Sequence, residues 1–184
     1  MDHADHVALL RGGLPTPRSP STADGNVTWA DLGSGTGAFT LALAELLGAD
    51  GEIYSIDRDA GALRQQERTM HERFPSARVH TIRADLARPL PDLPPLDGVV
   101  MANVLHFFRE KGTLLGQVRH ALKPGGRLIV VEYNVDRGNV WVPYPLSFST
   151  WQTLAAQWGL IGTRLLATRP SRFLHEIYAA LSVR

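Results

Sequence analysis

The sequence predicts an α/β domain: a parallel sheet with helices on both faces, finished by an antiparallel strand pair. Three observations predict it. Strand-like apolar runs alternate with helix-like stretches from Val27 onward. A glycine-rich turn, Gly33-Ser34-Gly35-Thr36-Gly37, joins the first strand to the first helix. The last two runs are joined by a link too short for a parallel crossover.

Taken in order, Val27 to Leu32, Glu52 to Asp57, Arg78 to Arg83, Asp97 to Asn103 and Arg127 to Asn134 read as strands. Residues 37 to 47 carry Ala38, Leu41, Ala44 and Leu47 at helical spacing, and residues 59 to 73 carry Ala62, Leu63, Gln66 and Met70. A third helix is expected over residues 109 to 121, stopped by the turn Lys123-Pro124-Gly125-Gly126. Alternation of this kind implies parallel strands covered on both faces. Residues 84 to 96 hold Pro89, Pro91, Pro94 and Pro95, so an extended crossover loop is expected there, with at most one helical turn. A helix near Phe148 to Trp158 precedes two final strands, Leu160 to Thr168 and Arg172 to Ala180, linked by Arg169-Pro170-Ser171.

With 184 residues the chain suits one core of ordinary size. Residues 1–26 read as a short helix around Val7 to Leu10 followed by a flexible connector from residue 14 to 26, rich in Pro, Ser and Thr. Such a connector lets the leading segment, Val7 to Leu14, fold over a ligand as a lid. Residues 27–184 form the binding domain. Hydrophobic residues make up 44% and charged residues 20%, a globular balance, and no run is long enough to cross a bilayer. There is no cysteine and the first residues lack a secretory leader's pattern, so a cytoplasmic location is expected. The seven histidines show no ligand spacing, and no metal site is expected.

A formal net charge of +1 argues against a surface built to track nucleic acid. Arg164, Arg169, Arg172 and Arg184 give the last stretch a local basic bias, read as a solvated face.

A strand, closely spaced glycines and then a helix place backbone N–H groups where an anionic or polar ligand can approach without meeting a Cβ. The pattern Gly33-x-Gly35-x-x-Ala38 also satisfies a dinucleotide fingerprint, which keeps an NAD-linked oxidoreductase open at this point. In an open parallel sheet, ligands bind outside the carboxyl ends of the strands. Asp31, Asp57, Asp85, Asn103 and the pair Tyr133 and Asn134 fall at or just past the ends of the five expected strands. Asp57, about twenty residues beyond the turn, can accept hydrogen bonds from both hydroxyls of a ribose. Its alternative role, capping the next helix, is one that Asp59 can fill equally well.

The run Asp31-Leu32-Gly33-Ser34-Gly35-Thr36-Gly37 resembles the first motif of class I S-adenosylmethionine-dependent methyltransferases, and Leu122-Lys123-Pro124-Gly125-Gly126-Arg127-Leu128 resembles their turn before the fifth strand. The resemblance covers roughly residues 27 to 180. It implies a Rossmann-like three-layer sandwich with a mostly parallel seven-stranded sheet and an antiparallel C-terminal hairpin, S-adenosylmethionine as cofactor and S-adenosylhomocysteine as product. It further implies that the cofactor binds over Gly33, Ser34, Gly35, Thr36 and Gly37, with Asp31, directly or through water, and Asn103, through its backbone carbonyl, helping to hold the ammonium group. Asp57 and Arg58 would then serve the ribose and flank the adenine, with Asp85 and the Leu86 amide reading the adenine.

The form Asn103-Val104-Leu105-His106-Phe107 resembles the branch that methylates small molecules, quinone precursors among them, and differs from the Asn-Pro-Pro-Tyr-like run of nucleobase amino-group methylases. His106 is the candidate general base. The aromatic segment from Tyr133 through Trp141 and Tyr144 to Trp151 can wall a pocket for a flat or apolar acceptor. Besides the oxidoreductase, two alternatives stand beside small-molecule methyl transfer: a regulatory protein that holds the cofactor without turnover, and an RNA methyltransferase using the basic tail.

Overall fold

The computed structural model describes residues 1–15, 27–171 and 173–184. The expected connector lies outside the described residues from residue 16 on, as does Arg172 of the basic stretch. The elements run α1 (His3–Arg11), β1 (Val27–Leu32), α2 (Ala38–Leu47), β2 (Gly51–Asp57), α3 (Ala60–Arg73), β3 (Arg78–Arg83), β4 (Leu96–Ala102), α4 (Gly112–Ala121), β5 (Leu122–Tyr133), α5 (Phe148–Gln157), β6 (Ile161–Ser171) and β7 (His175–Val183). They form one seven-stranded sheet in the order β3-β2-β1-β4-β5-β7-β6. Strands β1 to β5 are parallel, and β7 runs antiparallel to both β5 and β6. This is the expected Rossmann-like architecture.

Alternating side chains of the central strands feed two cores, as a sheet covered on both faces requires. Ala30, Leu32, Val99, Met101, Leu128, Val130 and Tyr178 face α4 and α5, with Trp151 and Leu115 buried among them. Trp29, Val100, Ile129, Val131 and Ala179 face α1, α2 and α3. Helix α1 is part of that second layer. Val7, Leu9 and Leu10 are buried in it, Asp2 and Asp5 close a capping box at its start, and Arg169 Nε donates to Asp5 Oδ1 at 3.0 Å.

Chain order reverses between β1 and β4, because β2 and β3 build outward on one side and β4 and β5 on the other. The residue 84–95 loop makes that crossing with no helix in it, as its prolines predict. A crevice therefore opens above the carboxyl ends of β1 and β4.

Two expectations are corrected. The Lys123-Pro124-Gly125-Gly126 turn does not precede β5 but bulges within it: Leu122 pairs with Leu96 and Arg127 with Gly98, so four residues stand opposite Asp97 alone. Likewise Arg169-Pro170-Ser171 is the end of β6, not the hairpin link. Pro170 pairs with Glu176 on an edge strand, where its missing N–H breaks no ladder.

In the basic stretch Arg164 is exposed and Arg169 and Arg184 are partly exposed. Arg164 donates to Gly12 O at 3.0 Å, Arg169 to Asp5, and Arg184 to the carbonyls of His120 and Leu122. Among the described residues no helix is long and apolar enough to cross a membrane.

Candidate functional site

Strand β1 ends at Leu32 and the chain turns at once into α2. Gly33, Gly35 and Gly37 take positive φ values of 77°, 54° and 88° to do so. Two of them also need the space: a Cβ on Gly33 would overlap Val104, and one on Gly37 would overlap Gln66. The amides of Gly33 and Ser34 donate to Ile56 O at 2.7 and 3.1 Å, stitching the turn to β2.

Beneath the turn lies a buried polar chain. Gln66 Nε2 donates to Ser55 Oγ at 2.6 Å, and Ser55 Oγ donates to Ser34 Oγ at 2.7 Å. Asp31 is 1% exposed and accepts from Thr40 Oγ1 at 2.6 Å. Burial pushes its carboxyl up to about 7, against the lowering effect of Thr40, and the Asp57 charge adds to the rise.

Asp57, the last residue of β2, accepts from the Gly35 amide at 2.8 Å through Oδ2 and from the Asp59 amide at 2.8 Å through Oδ1. Asp59, not Asp57, caps α3, taking the amides of Gly61 and Ala62. An ionised carboxylate offers about four acceptor sites, so Asp57 retains capacity for two further donors. Asp85 uses Oδ1 to hold its own loop through the Ala87 amide at 3.0 Å.

Asn103, one residue past β4, has a left-handed φ of 56°, held by donation of its amide to Val131 O at 2.8 Å. Its side-chain Oδ1 is enclosed with no hydrogen-bond partner among the described residues. An enclosed amide oxygen without a donor costs roughly 1–3 kcal/mol.

These groups converge on a cavity of ≈ 450 Å³ lined by Gly33, Asp57, Arg58, Ala84, Asp85, Leu86, Asn103, Val104, Phe107 and Phe108. That volume suits a small-molecule ligand. Beyond Asn103 the chain makes a 3₁₀ turn, Leu105–Phe107, that buries His106. His106 Nδ1 lies 2.7 Å from Glu132 Oε2, and its amide donates to Glu132 Oε1 at 3.2 Å.

The family model described as "Methyltransferase domain" matches residues 30–128, more than half of the chain. The chain belongs to the methyltransferase domain family. Its cavity sits where that match begins and runs, from the Gly-rich turn to the loop after β4.

This methyltransferase-domain protein is 31% identical over 123 residues to the ubiquinone/menaquinone biosynthesis C-methyltransferase UbiE of Azotobacter vinelandii, covering 64% of the chain and 48% of the relative. The chain thus spans about half the length of the curated relatives it matches. Among solved structures, the fold is shared with Haemonchus contortus phosphoethanolamine N-methyltransferase 2, solved with phosphomonomethylethanolamine and S-adenosylhomocysteine (TM-score 0.75, 15% identity, 98% of this chain and 52% of that one). It is shared also with a SAM-dependent methyltransferase from Aquifex aeolicus (TM-score 0.67, 18% identity, 87% and 82%).

Of the residues expected from the sequence, the methyltransferase domain brings Gly33, Asp57, Arg58, Asp85, Leu86 and Asn103 to the cavity wall. Asp31, Ser34, Gly35, Thr36 and Gly37 form and brace the turn beside it and are not among the lining residues. His106 stands behind Phe107, its ring centroid 4.3 Å from that ring. The aromatic segment divides: Val142, Leu146 and Trp151 are core, whereas Trp141 is 73% exposed and Tyr144 42%.

Glu132 was missed, although a carboxylate ending the apolar run Leu128 to Val131 in a strand buried on both faces was a signal for it. Gln66 was legible only as a polar residue standing in an apolar helical stripe. Among the described residues no group of three or more acidic or imidazole side chains is arranged to hold a metal ion.

Proposed function

We propose that this protein transfers the methyl group of S-adenosylmethionine to a small-molecule acceptor. The observation that carries the reading is the convergence of Asp57, Asp85 and Asn103, each at or just past a strand end, on one cavity beside the Gly-rich turn. That donor set fits the cofactor. Asp57 has free acceptor sites for the ribose hydroxyls, and Asn103 and Gly33 form the end that takes the methionine ammonium. Asp85 and the Leu86 amide read the adenine edge, with Arg58 flanking it. Ser34, Gly35, Thr36 and Gly37 shape the turn, and Asp31 braces it from beneath by accepting from Thr40.

When bound, the cofactor supplies an electrophilic methyl group, so the chain's own task is positioning and desolvation. Val104, Phe107 and Phe108 supply the apolar part of the cavity wall. In this reading His106, behind Phe107, is the candidate base for an acceptor that must lose a proton. Residues 27–184 act as the binding unit, with α1 docked against α2.

The acceptor is flat and apolar in this reading, supported by the exposed rings of Phe107 and Phe173 and by the quinone named for the Azotobacter relative. Nucleic acid is not the acceptor, consistent with the net charge and with the internal pairing of Arg164, Arg169 and Arg184. The absence of cysteine supports action in the cytoplasm.

Calorimetry with S-adenosylmethionine, S-adenosylhomocysteine and NAD tests the reading. The first two are expected to bind and NAD is not. Binding of NAD alone overturns the proposal in favour of an oxidoreductase.

A further inference from the structure

Three connections at the carboxyl end of the sheet expose large apolar side chains. Phe107 comes from the turn after β4, Val140, Trp141 and Tyr144 from the loop after β5, and Phe173 from the link between β6 and β7. All three adjoin the cavity that Phe107 lines or the end of β5 beside it. The Tyr144 amide donates to His106 O at 2.9 Å, and the Phe173 ring lies 5.8 Å by centroids from Tyr133, the last residue of β5.

The outermost part of this rim is held in place. Val140 is 90% exposed, and Trp141 follows it at the tip of the loop. Asn139 Oδ1 accepts from the amides of Trp141 and Val142 at 2.8 and 2.9 Å, and the Asn139 amide donates to Val142 O at 3.0 Å. Val142 is buried beneath the tip, and a Cβ on Gly138 would overlap the carbonyls of Val142 and Pro143, so the two limbs of the loop touch. A valine and a tryptophan braced in water are poorly explained by the fold itself, and contiguous exposed apolar surface marks a contact site.

The chemistry of the rim says what covers it. Trp and Tyr, with an apolar body and a polar edge, favour the boundary between water and lipid. Residues 138 to 146 carry no charge. The charges next to the exposed residues in the chain nearly balance, with Arg109, Lys111, Arg137 and Arg172 against Glu110, Asp136 and Glu176. That balance supplies no strong field for an anionic surface and suits a zwitterionic one. A peptide adding a strand finds no free backbone at the tip, because the amides of Asn139, Trp141 and Val142 are already used. A second copy seated on the rim would close the Phe107 side of each cavity to an acceptor.

We infer that this rim docks the protein on a zwitterionic lipid surface, with Val140 and Trp141 entering the headgroup region and Phe107, Tyr144 and Phe173 lying against it. Such a contact lies on the membrane and needs no spanning helix. The apolar acceptor then reaches the cavity from the lipid side; this route rests on the proposed function, whereas the docking itself needs no cofactor.

Vesicles of phosphatidylcholine test it. The full chain should sediment with them, and brominated acyl chains should quench Trp141, with Trp141→Phe identifying the signal because Trp29 and Trp151 are buried. Val140→Asp should lower the partition constant roughly tenfold or more, with the melting temperature and S-adenosylhomocysteine affinity unchanged. Binding should survive high salt, since apolar insertion is not screened. No sedimentation with the vesicles, quenching that persists in Trp141→Phe, or Val140→Asp partitioning like the wild type overturns the inference. Binding confined to anionic vesicles and lost at high salt overturns it in favour of the basic residues. A dimer in sedimentation velocity that Val140→Asp dissolves, with no vesicle binding, overturns it in favour of a second copy. Failure of S-adenosylhomocysteine to bind while vesicle binding holds sinks the cofactor reading and leaves the docking standing.

Discussion

The Asp57 carboxylate accepts the Gly35 amide at 2.8 Å, so the end of β2 holds the Gly-rich turn in shape before any ligand arrives. Asp57→Ala therefore removes both a ligand acceptor and a brace. A hydrogen bond to a charged group is worth about 1.5–3 kcal/mol, so calorimetry should show S-adenosylhomocysteine affinity falling roughly ten- to a hundredfold or more. Unchanged affinity would refute the ribose assignment.

The three glycines of the turn should not respond alike. Gly35→Ala meets nothing within 4 Å and suffers only backbone strain at φ 54°, costing about 1 kcal/mol. Gly37→Ala adds a clash with Gln66 to a φ of 88°, and should cost about 2–4 kcal/mol. Urea unfolding of the two variants checks the order; equal losses would mean that the contact with Gln66 relaxes freely.

Asp31 ties stability to pH. Its folded carboxyl titrates at about 7 against an ordinary 3.8, chiefly through burial, so between these values the folded state binds the extra proton. Stability should therefore fall as pH rises across that window, by up to roughly 4 kcal/mol, and level off above it. Thermal melts from pH 4 to 8 should show the fall in the wild type and a flatter profile in Asp31→Asn. A wild-type melt that rises through this window would contradict the burial effect.

Helix α1 contributes to the core. Leu10 is fully buried against α2's layer, and Leu10→Ala should cost about 2–5 kcal/mol by transfer and cavity formation. A loss under 1 kcal/mol would show that α1 is dispensable to the fold.

The parallel half of the fold was legible because its strands are apolar runs bounded by glycine and proline, and β1 and β3 match their expected bounds. What escaped was set by strand pairing. The bulge at Lys123 to Gly126 exists because Leu122 finds Leu96, far back in the chain, and Pro170 is tolerated because β6 lies at the edge of the sheet, a place its own residues do not declare. At the site, residues at strand ends were legible from position alone. Glu132 was not, because its meaning depends on His106, 26 residues away in the chain.

The most direct test of the account is a crystal structure with S-adenosylhomocysteine. It should show the ribose hydroxyls on Asp57, the adenine beside Asp85 and Leu86, and the ammonium donating to Asn103. The ligand seated elsewhere, with Asp57 and Asn103 untouched by it, would contradict it.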